Sequence, residues 1–147
     1  MPLNNYTPES DDNRSKVVSE ENGRKHTGLN PKGCCVTHYR VDGVILQNQT
    51  ACDYILINET DGIAFLIELK GCRVDKAAAQ LQATEEALRE YLKEYKLQFR
   101  IVTSTTPSRK SRTTGVKASY PKIIDVWKSK GQFNMQTNEI EEDISKV

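Results

Sequence analysis

The sequence predicts an α/β domain of the α+β type, with a mixed central sheet flanked by helices. Three observations lead to this prediction. Strand-like segments rich in β-branched and aromatic residues follow one another between residues 34 and 70. A long segment with helical periodicity covers residues 76–96, and a further strand-like segment follows at residues 99–104. A hairpin that leads through a helix into another strand is typical of a mixed sheet.

Composition excludes several classes of protein. The 147 residues are 37% hydrophobic and 28% charged, which suits one folded domain and not a disordered chain. No apolar stretch approaches the roughly 20 residues of a membrane-spanning helix, and the polar first segment does not resemble a secretory signal. The four cysteines have no CxxC spacing, so neither a disulfide scaffold nor structural zinc is expected. We therefore expect a cytoplasmic protein, and the missing phosphate-binding glycine loop predicts no nucleotide cofactor.

The first third of the chain carries weak local signals. Residues 1–13 are expected to form a polar leader, and the core is predicted over residues 14–105. A short helix is predicted over residues 14–22, ending near Gly23. Residues 24–33 include glycine, proline and asparagine and are predicted to be a connection.

Strand-forming residues dominate the middle of the chain. They are dense at residues 34–41, and the dipeptide Asp42-Gly43 predicts a tight hairpin that returns through residues 44–46. A second β-rich segment, CDYILI, begins at Cys52. The segment IAFLIELK, at residues 63–70, is almost entirely apolar, which is typical of a central strand buried on both faces.

A helix and a strand complete the predicted core. Asp75 is expected to cap a helix over residues 76–96, where apolar residues recur at helical spacing and form one stripe. The strand at residues 99–104 follows it. Shorter elements are predicted at residues 120–130 and, as an edge strand, at residues 133–137.

Charge is segregated along the chain, although the net charge is only +1. Residues 106–119 form a basic segment rich in serine and threonine, which is expected to be a flexible loop. Residues 139–147 form an acidic tail. This pattern suits a polyanionic partner, and a solvated loop without a partner is the alternative. The basic residues that would contact nucleic-acid phosphates are Arg109, Lys110, Arg112 and Lys117.

The residues with the clearest chemical use are Asp53, Glu68 and Lys70. Residues two apart in a strand point to the same face, so Glu68 and Lys70 project together while Leu69 points the other way. If the two strand segments form a hairpin, Asp53 at the start of one lies beside the end of the other. The sequence therefore predicts two carboxylates and an amine that converge, although a structural Glu–Lys pair at a sheet edge would use the same residues.

Such a group suits phosphodiester hydrolysis. Carboxylate oxygens bind a hard cation such as Mg²⁺, and the backbone carbonyl of Leu69 is a further candidate ligand. The cation polarises the phosphodiester and lowers the pKa of a bound water. The lysine can orient or deprotonate that water, or stabilise the charge that develops on the phosphate.

Asp53, fourteen further residues and then Glu68-Leu69-Lys70 resemble the core motif of the PD-(D/E)XK nuclease superfamily. The predicted elements over residues 14–105 match the order of that family's restriction-endonuclease-like αβββαβ core. The resemblance implies that Asp53 and Glu68 bind Mg²⁺, with Mn²⁺ as a substitute, and that Lys70 is the catalytic lysine. Members cut DNA or RNA and include restriction enzymes and Holliday-junction resolvases. Cys52 replaces the proline of the motif, as in many members.

Three weaker candidates come from the same resemblance. Some members carry a glutamine on the helix after the motif, for which Gln80 and Gln82 are available and Gln80 is preferred as a catalytic residue. Members often place a further metal ligand on their first helix. Glu20 is preferred to Glu21 for this role, and solvent-facing helix charges are the alternative. Arg40 is a candidate phosphate contact, or else part of the polar outer face of a hairpin.

The sequence as a whole predicts one nuclease domain over residues 1–147. It is expected to be a magnesium-dependent endonuclease that acts on nucleic acid, with DNA as the expected substrate. Two alternatives stay open. One is a catalytically inactive domain of the same fold that binds nucleic acid or a protein partner, and the other is an unrelated α/β domain. Because the chain leaves little room for a sequence-reading module, we expect specificity for nucleic-acid structure, a homodimer or a larger complex.

Overall fold

The computed structural model describes residues 3, 5–69, 73–104 and 121–147. The strands are Ser10–Asp12 (β1), Lys16–Glu21 (β2), Arg24–Leu29 (β3), Val36–Arg40 (β4), Tyr54–Asn58 (β5), Ile63–Leu69 (β6), Lys96–Thr103 (β7), Phe133–Thr137 (β8) and Glu139–Asp143 (β9). The helices are Val74–Ala87 (α1), Arg89–Leu92 (α2) and Lys122–Ser129 (α3). The predicted class is confirmed, because the architecture is α+β with a mixed sheet.

The larger sheet has six strands in the order β1-β4-β5-β6-β7-β8. Neighbouring strands are antiparallel from β1 to β6 and parallel from β6 to β8. Parallel neighbours need a crossover. The chain passes through α1 and α2 between β6 and β7, and α3 precedes β8. These connections bring the carboxyl end of β6 close to the start of α1.

Two apolar cores lie on opposite faces of this sheet. Every residue of β6 is buried, as its continuous apolar sequence predicts. Ala64 and Leu66 pack in the core on the helix side, where Phe99 of β7 stacks on Trp127 of α3 with ring centroids 4.1 Å apart. Phe65 packs on the other side, in a core that residues of β2 and β9 complete. Within the described residues the helices pack on one face of the larger sheet, and the three-stranded sheet packs on the other.

A three-stranded sheet, in the order β2-β3-β9, covers the second face. Here the sequence predictions were wrong, since residues 14–22 form a strand and not a helix, and residues 24–33 contain another strand. The turn between β2 and β3 is Asn22-Gly23, with φ of 50° and 81°. Positive φ at both positions is the geometry of a two-residue type I′ hairpin. The sequence contains this hairpin signal at Asn22-Gly23, whereas the hairpin was predicted at Asp42-Gly43.

That other dipeptide, Asp42-Gly43, does not form the predicted hairpin. The N–H groups of residues 44–46 donate to the carbonyl of Val41 at 3.0 to 3.2 Å, so they form a compact turn and not a returning strand. Instead β4 lies between β1 and β5 and pairs antiparallel with both. A loop over residues 41–53 connects β4 to β5.

Both ends of the chain take part in the sheets. Within the predicted leader at residues 1–13, β1 pairs with β4. Within the predicted acidic tail at residues 139–147, β9 pairs parallel with β3. The helix predicted over residues 76–96 is shorter, because α1 ends at Ala87 and β7 begins at Lys96. Its cap position is held by Arg73 and not by Asp75.

The predicted edge strand at residues 133–137 is confirmed as β8, at one end of the larger sheet. The basic segment at residues 106–119 lies outside the described residues. None of the helices in the described part of the chain has the length and apolar character needed to cross a membrane.

Candidate active site

The segment that leads into Asp53 is held by side chains of α1. The amide of Gln80 donates through Nε2 to the carbonyl oxygen of Ala51, at 3.1 Å. The N–H of Cys52 donates to Oγ1 of Thr84, at 2.8 Å. Gln80 and Thr84 lie one helical turn apart on the same face, so α1 clamps two consecutive peptide groups just before the aspartate.

Asp53 is joined to the end of β6 by its backbone and by its side chain. Its N–H donates to the carbonyl of Ile67, at 3.2 Å. Its Oδ2 accepts a hydrogen bond from the N–H of Leu69, at 2.8 Å. These two contacts are made to the residues on either side of Glu68. The predicted approach of Asp53 to the end of the next strand is therefore present in the structure.

Glu68 is the last residue of β6 on the side of the strand that faces the helices. The preceding residues on that face, Ala64 and Leu66, lie in the helix-side core, and Glu68 itself is only 1% exposed. A carboxylate at such a depth needs a charged, hydrogen-bonding or metal partner to compensate its lost hydration. The burial makes this glutamate costly as a purely structural residue.

The pKa of the Cys52 thiol is affected by both carboxylates of the site. Cys52 is fully buried, and burial is the main cause that raises its pKa. The carboxylates of Glu68 and Asp53 raise that pKa further through their charges. The neighbouring thiol is therefore held in its neutral form, and Cys52 acts as a small core residue in the place of the motif's proline.

The other predicted site residues lie in different places. Arg40 is on the face that meets the three-stranded sheet, where its guanidinium donates to Glu21 Oε2 at 3.1 Å and to the hydroxyl of Tyr54 at 2.8 Å. Glu20 lies on the outward, exposed side of β2. The structure does not bring either residue to the helix face with Glu68. The assignment of Glu20 to a first helix was wrong.

Lys70 and the basic residues Arg109, Lys110, Arg112 and Lys117 lie outside the described residues. Within the described ranges, no group of three or more histidine, cysteine, aspartate or glutamate side chains is arranged to hold a metal ion. The two acidic residues of the predicted motif that the structure describes are Asp53 and Glu68, and Asp53 is hydrogen-bonded to the N–H of Leu69, the residue after Glu68.

Thr84 was missed by the sequence analysis. Its hydroxyl accepts from Cys52 and donates to the carbonyl of Gln80 at 2.8 Å, and its side chain is completely buried. The available signal was a lone threonine on the buried stripe of a helix, four residues after a candidate glutamine. A β-branched polar residue at such a position indicates a hydrogen bond to a neighbouring element.

The sequence matches no protein-family model, and no curated protein and no solved structure matches it.

Proposed function

We propose that this protein is a metal-dependent nuclease that hydrolyses phosphodiester bonds of nucleic acid, with DNA as its first substrate. The observation that carries the proposal is the position of two acidic residues on neighbouring strands, with Asp53 just before β5 and Glu68 near the end of β6. Asp53 is hydrogen-bonded to the residues that flank Glu68, and Glu68 is buried on the helix face. A pair of carboxylates in this arrangement is typical of sites that bind a hard cation.

The donor set fits Mg²⁺, and Mn²⁺ as its substitute. Mg²⁺ is commonly held by one or two carboxylates, while waters and substrate phosphates complete its coordination. The two carboxylates supply that number, and the carbonyl oxygen of Leu69 is an additional hard donor. When bound, the metal would polarise the phosphodiester and lower the pKa of a coordinated water.

The residues of the chain then have distinct roles. Asp53 and Glu68 hold the cation, and the hydrogen bond from Leu69 fixes the orientation of the aspartate. Lys70 directly follows Leu69, and we assign to it the orientation or deprotonation of the attacking water. Gln80 contacts the backbone before Asp53, which supports a positioning role. The basic residues predicted as phosphate contacts would hold the substrate backbone.

The order of elements supports a restriction-endonuclease-like core in part. From Val36 to Thr103 the chain runs through β4, β5, β6, α1, the short α2 and β7, which is the βββαβ part of that core plus one helical turn. The leading helix is replaced by the β2–β3 hairpin over residues 16–29. The proposal therefore rests on the acidic pair and on this central run of elements.

Cleavage of a mixed panel tests the proposal. The panel contains supercoiled plasmid, linear duplex, single strands, a four-way junction and RNA, each with Mg²⁺, with Mn²⁺ and with EDTA. We expect cleavage that requires metal and is lost in Asp53→Asn and in Lys70→Ala. The control is Asp125→Asn, which neutralises an exposed aspartate on α3 and should cut at the wild-type rate.

The outcomes separate the nuclease from its alternatives. Cleavage that persists in both variants, or in EDTA, would overturn the proposed site. No cleavage of any substrate, with salt-sensitive binding retained, would favour a catalytically inactive nucleic-acid-binding domain. Sedimentation of the same preparations distinguishes a homodimer from a 16.6 kDa monomer.

A further inference from the structure

A groove lies beside the candidate active site, between α1 and the loop over residues 41–53. Its volume is about 450 Å³, which is within the range of pockets that take small organic molecules. Ala51 is one of its lining residues and comes two residues before Asp53 in the sequence. A ligand in the groove would therefore lie near the segment that leads into Asp53.

The loop wall of the groove is firmly built. Ile45 and Leu46 are 6% and 8% exposed and are part of the helix-side core, so the loop is anchored by apolar packing. At its two ends, Val41 N–H donates to the carbonyl of Asp53 at 2.9 Å, and the N–H of Asp42 donates to Cys52 at 3.1 Å. The groove is consequently formed before any ligand arrives, which reduces the ordering cost of binding.

The lining is mixed, because polar side chains that donate and accept hydrogen bonds lie beside Ala51 and Ala79. Asp42, Gln49 and Thr50 come from the loop, and Lys76 and Gln80 come from α1. Asp42 is exposed, and its ionised carboxylate only accepts hydrogen bonds. The described residues that line the groove include no aromatic side chain, and their side chains offer hydrogen bonds.

Gln80 gives a second sign that the groove receives a ligand. Its Nε2 is used by Ala51, but its Oε1 is buried and has no hydrogen-bond partner within the described part of the chain. Unsatisfied buried acceptors are rare in folded proteins and concentrate where a water or ligand completes the site. The side chain lies at the boundary between the groove and the segment that positions Asp53.

We propose that the groove binds the base of one unpaired nucleotide next to the phosphodiester that is cut. The inference rests on the proposed nuclease function and extends it to a substrate class. Acceptors and donors that line a groove of this size can bind the Watson–Crick edge of a base, which is accessible only when the base is not paired in a duplex. The substrate is therefore a single strand, or an unpaired region of a branched or gapped duplex.

Asp42 makes the groove selective among bases. On the Watson–Crick edge of an unpaired cytosine the amino group is a hydrogen-bond donor, and a carboxylate can accept from it. Thymine presents a carbonyl oxygen in the equivalent position, which an ionised aspartate repels. Strands of cytosine are thus preferred to strands of thymine.

Binding of fluorescent 12-nucleotide single strands, measured by anisotropy in EDTA at constant salt, tests the proposal without cleavage. We expect oligo-dC to bind the wild-type protein roughly 5-fold or more tightly than oligo-dT, the low end of the discrimination provided by one good base contact. Asp42→Asn should bring this ratio close to one, because a carboxamide can both donate and accept. Gln49→Ala should weaken oligo-dC binding by a similar factor, whereas Gln47→Ala, on the same loop but outside the groove, should not.

Equal affinities for the two strands, an unchanged ratio in Asp42→Asn, or equal effects of Gln49→Ala and Gln47→Ala would overturn the groove assignment. A competition with matched duplex should show weaker binding of the duplex, and equal competition would also contradict it. Cleavage is measured separately. Metal-dependent cleavage without base selectivity would leave the nuclease and reject the groove, and selective binding without cleavage would do the reverse.

Discussion

Half-buried Glu142 lies on one face of the large sheet, half-buried Asp53 and buried Glu68 belong to the other side, and the two places are built differently. Between the sheets, Glu142 of β9 receives Nε and Nη2 of Arg100 at 2.7 and 3.0 Å, in the bidentate geometry typical of arginine. The ring nitrogen Nε2 of His26 lies 2.7 Å from the same carboxylate. On the helix face, Asp53 and Glu68 lie at strand ends beside an open groove.

Arg100 makes further contacts within the network between the sheets. The remaining donors of Arg100 go to the carbonyl oxygens of Phe99 and Gln132 and to Oε1 of Gln98, and the guanidinium lies 5.3 Å from the ring centroid of Phe65. Burial by itself would raise the pKa of Glu142, but the hydrogen bonds from His26 and Arg100 outweigh it and lower the pKa to about 2. This carboxylate is committed to holding the two sheets together.

The comparison shows that burial of a charge does not by itself identify an active site. Glu142 draws its partners from two distant strands, β3 and β7. Asp53 is instead oriented by the backbone of Leu69, and α1 holds the two residues before it. We therefore expect substitutions at Glu142 to change stability and those at Asp53 and Glu68 to change activity.

The largest effect is expected for Glu68→Gln. If Glu68 holds the catalytic metal, cleavage should fall by about 10³-fold, in the range observed when a key electrostatic group is removed from an active site. Initial rates and circular dichroism should be measured on the same preparation. A variant that loses activity only in proportion to the fraction unfolded would remove Glu68 from the site.

Glu142→Gln should show the opposite behaviour. Because the substitution leaves Arg100 buried without its counter-charge, the free energy of unfolding should fall by about 3–5 kcal/mol. Urea unfolding measures this loss, and Glu141→Gln, an exposed neighbour on the same strand, is the control with an expected change within about 0.5 kcal/mol. Cleavage per folded molecule should be unchanged. A loss below about 1 kcal/mol would show that the network does not join the sheets.

Acid should weaken the contact between the sheets through His38. This histidine is 4% exposed, its Nε2 lies 2.8 Å from Oγ of Ser19, and burial lowers its pKa from 6.5 to about 4, with the charges of His26 and Arg14 acting in the same direction. As the pH falls from 6.5 to 4, the unfolded chain binds a proton that the folded chain does not. Stability should therefore fall by about 3 kcal/mol across this window.

Urea unfolding between pH 7 and pH 4.5 checks this expectation. The lower limit avoids the protonation of Glu142, whose stabilising contribution is lost only below the usual glutamate pKa of 4.5 and down to about 2. His38→Gln keeps a polar group beside Ser19 and should flatten the dependence on pH. An equal slope in the variant would assign the acid sensitivity to other groups.

The smallest effect is expected at Thr84. Thr84→Val keeps the shape of the side chain but removes the acceptor for Cys52 N–H, so stability should fall by about 1–3 kcal/mol. Cleavage should fall by roughly 10-fold, because the segment before Asp53 loses one of its two clamps. Thr84→Ser retains the hydroxyl and should preserve cleavage. Loss of cleavage in both variants would point to packing and not to the hydrogen bond.

Features that depend on neighbouring residues could be predicted from the sequence, and features that depend on distant residues could not. The central strands were predicted well, because a continuous apolar segment such as β6 indicates burial on both faces. The approach of Asp53 to the end of β6 followed from strand alternation and a short hairpin. The groove and the role of Thr84 could not be predicted, since both depend on how α1 lies against a loop that precedes it by about 30 residues.

The mixed α+β class, the buried centre of the sheet and the proximity of Asp53 to the end of β6 can be read from the amino-acid sequence, because they follow from local periodicity and short connections. The structure of both ends of the chain depends instead on long-range strand pairing. The acidic tail became β9 because β3, more than 110 residues earlier, supplies its backbone partners, and Glu142 found its charge partners in His26 and Arg100. Strand pairing at such separations satisfies hydrogen bonds and charges that no local pattern records.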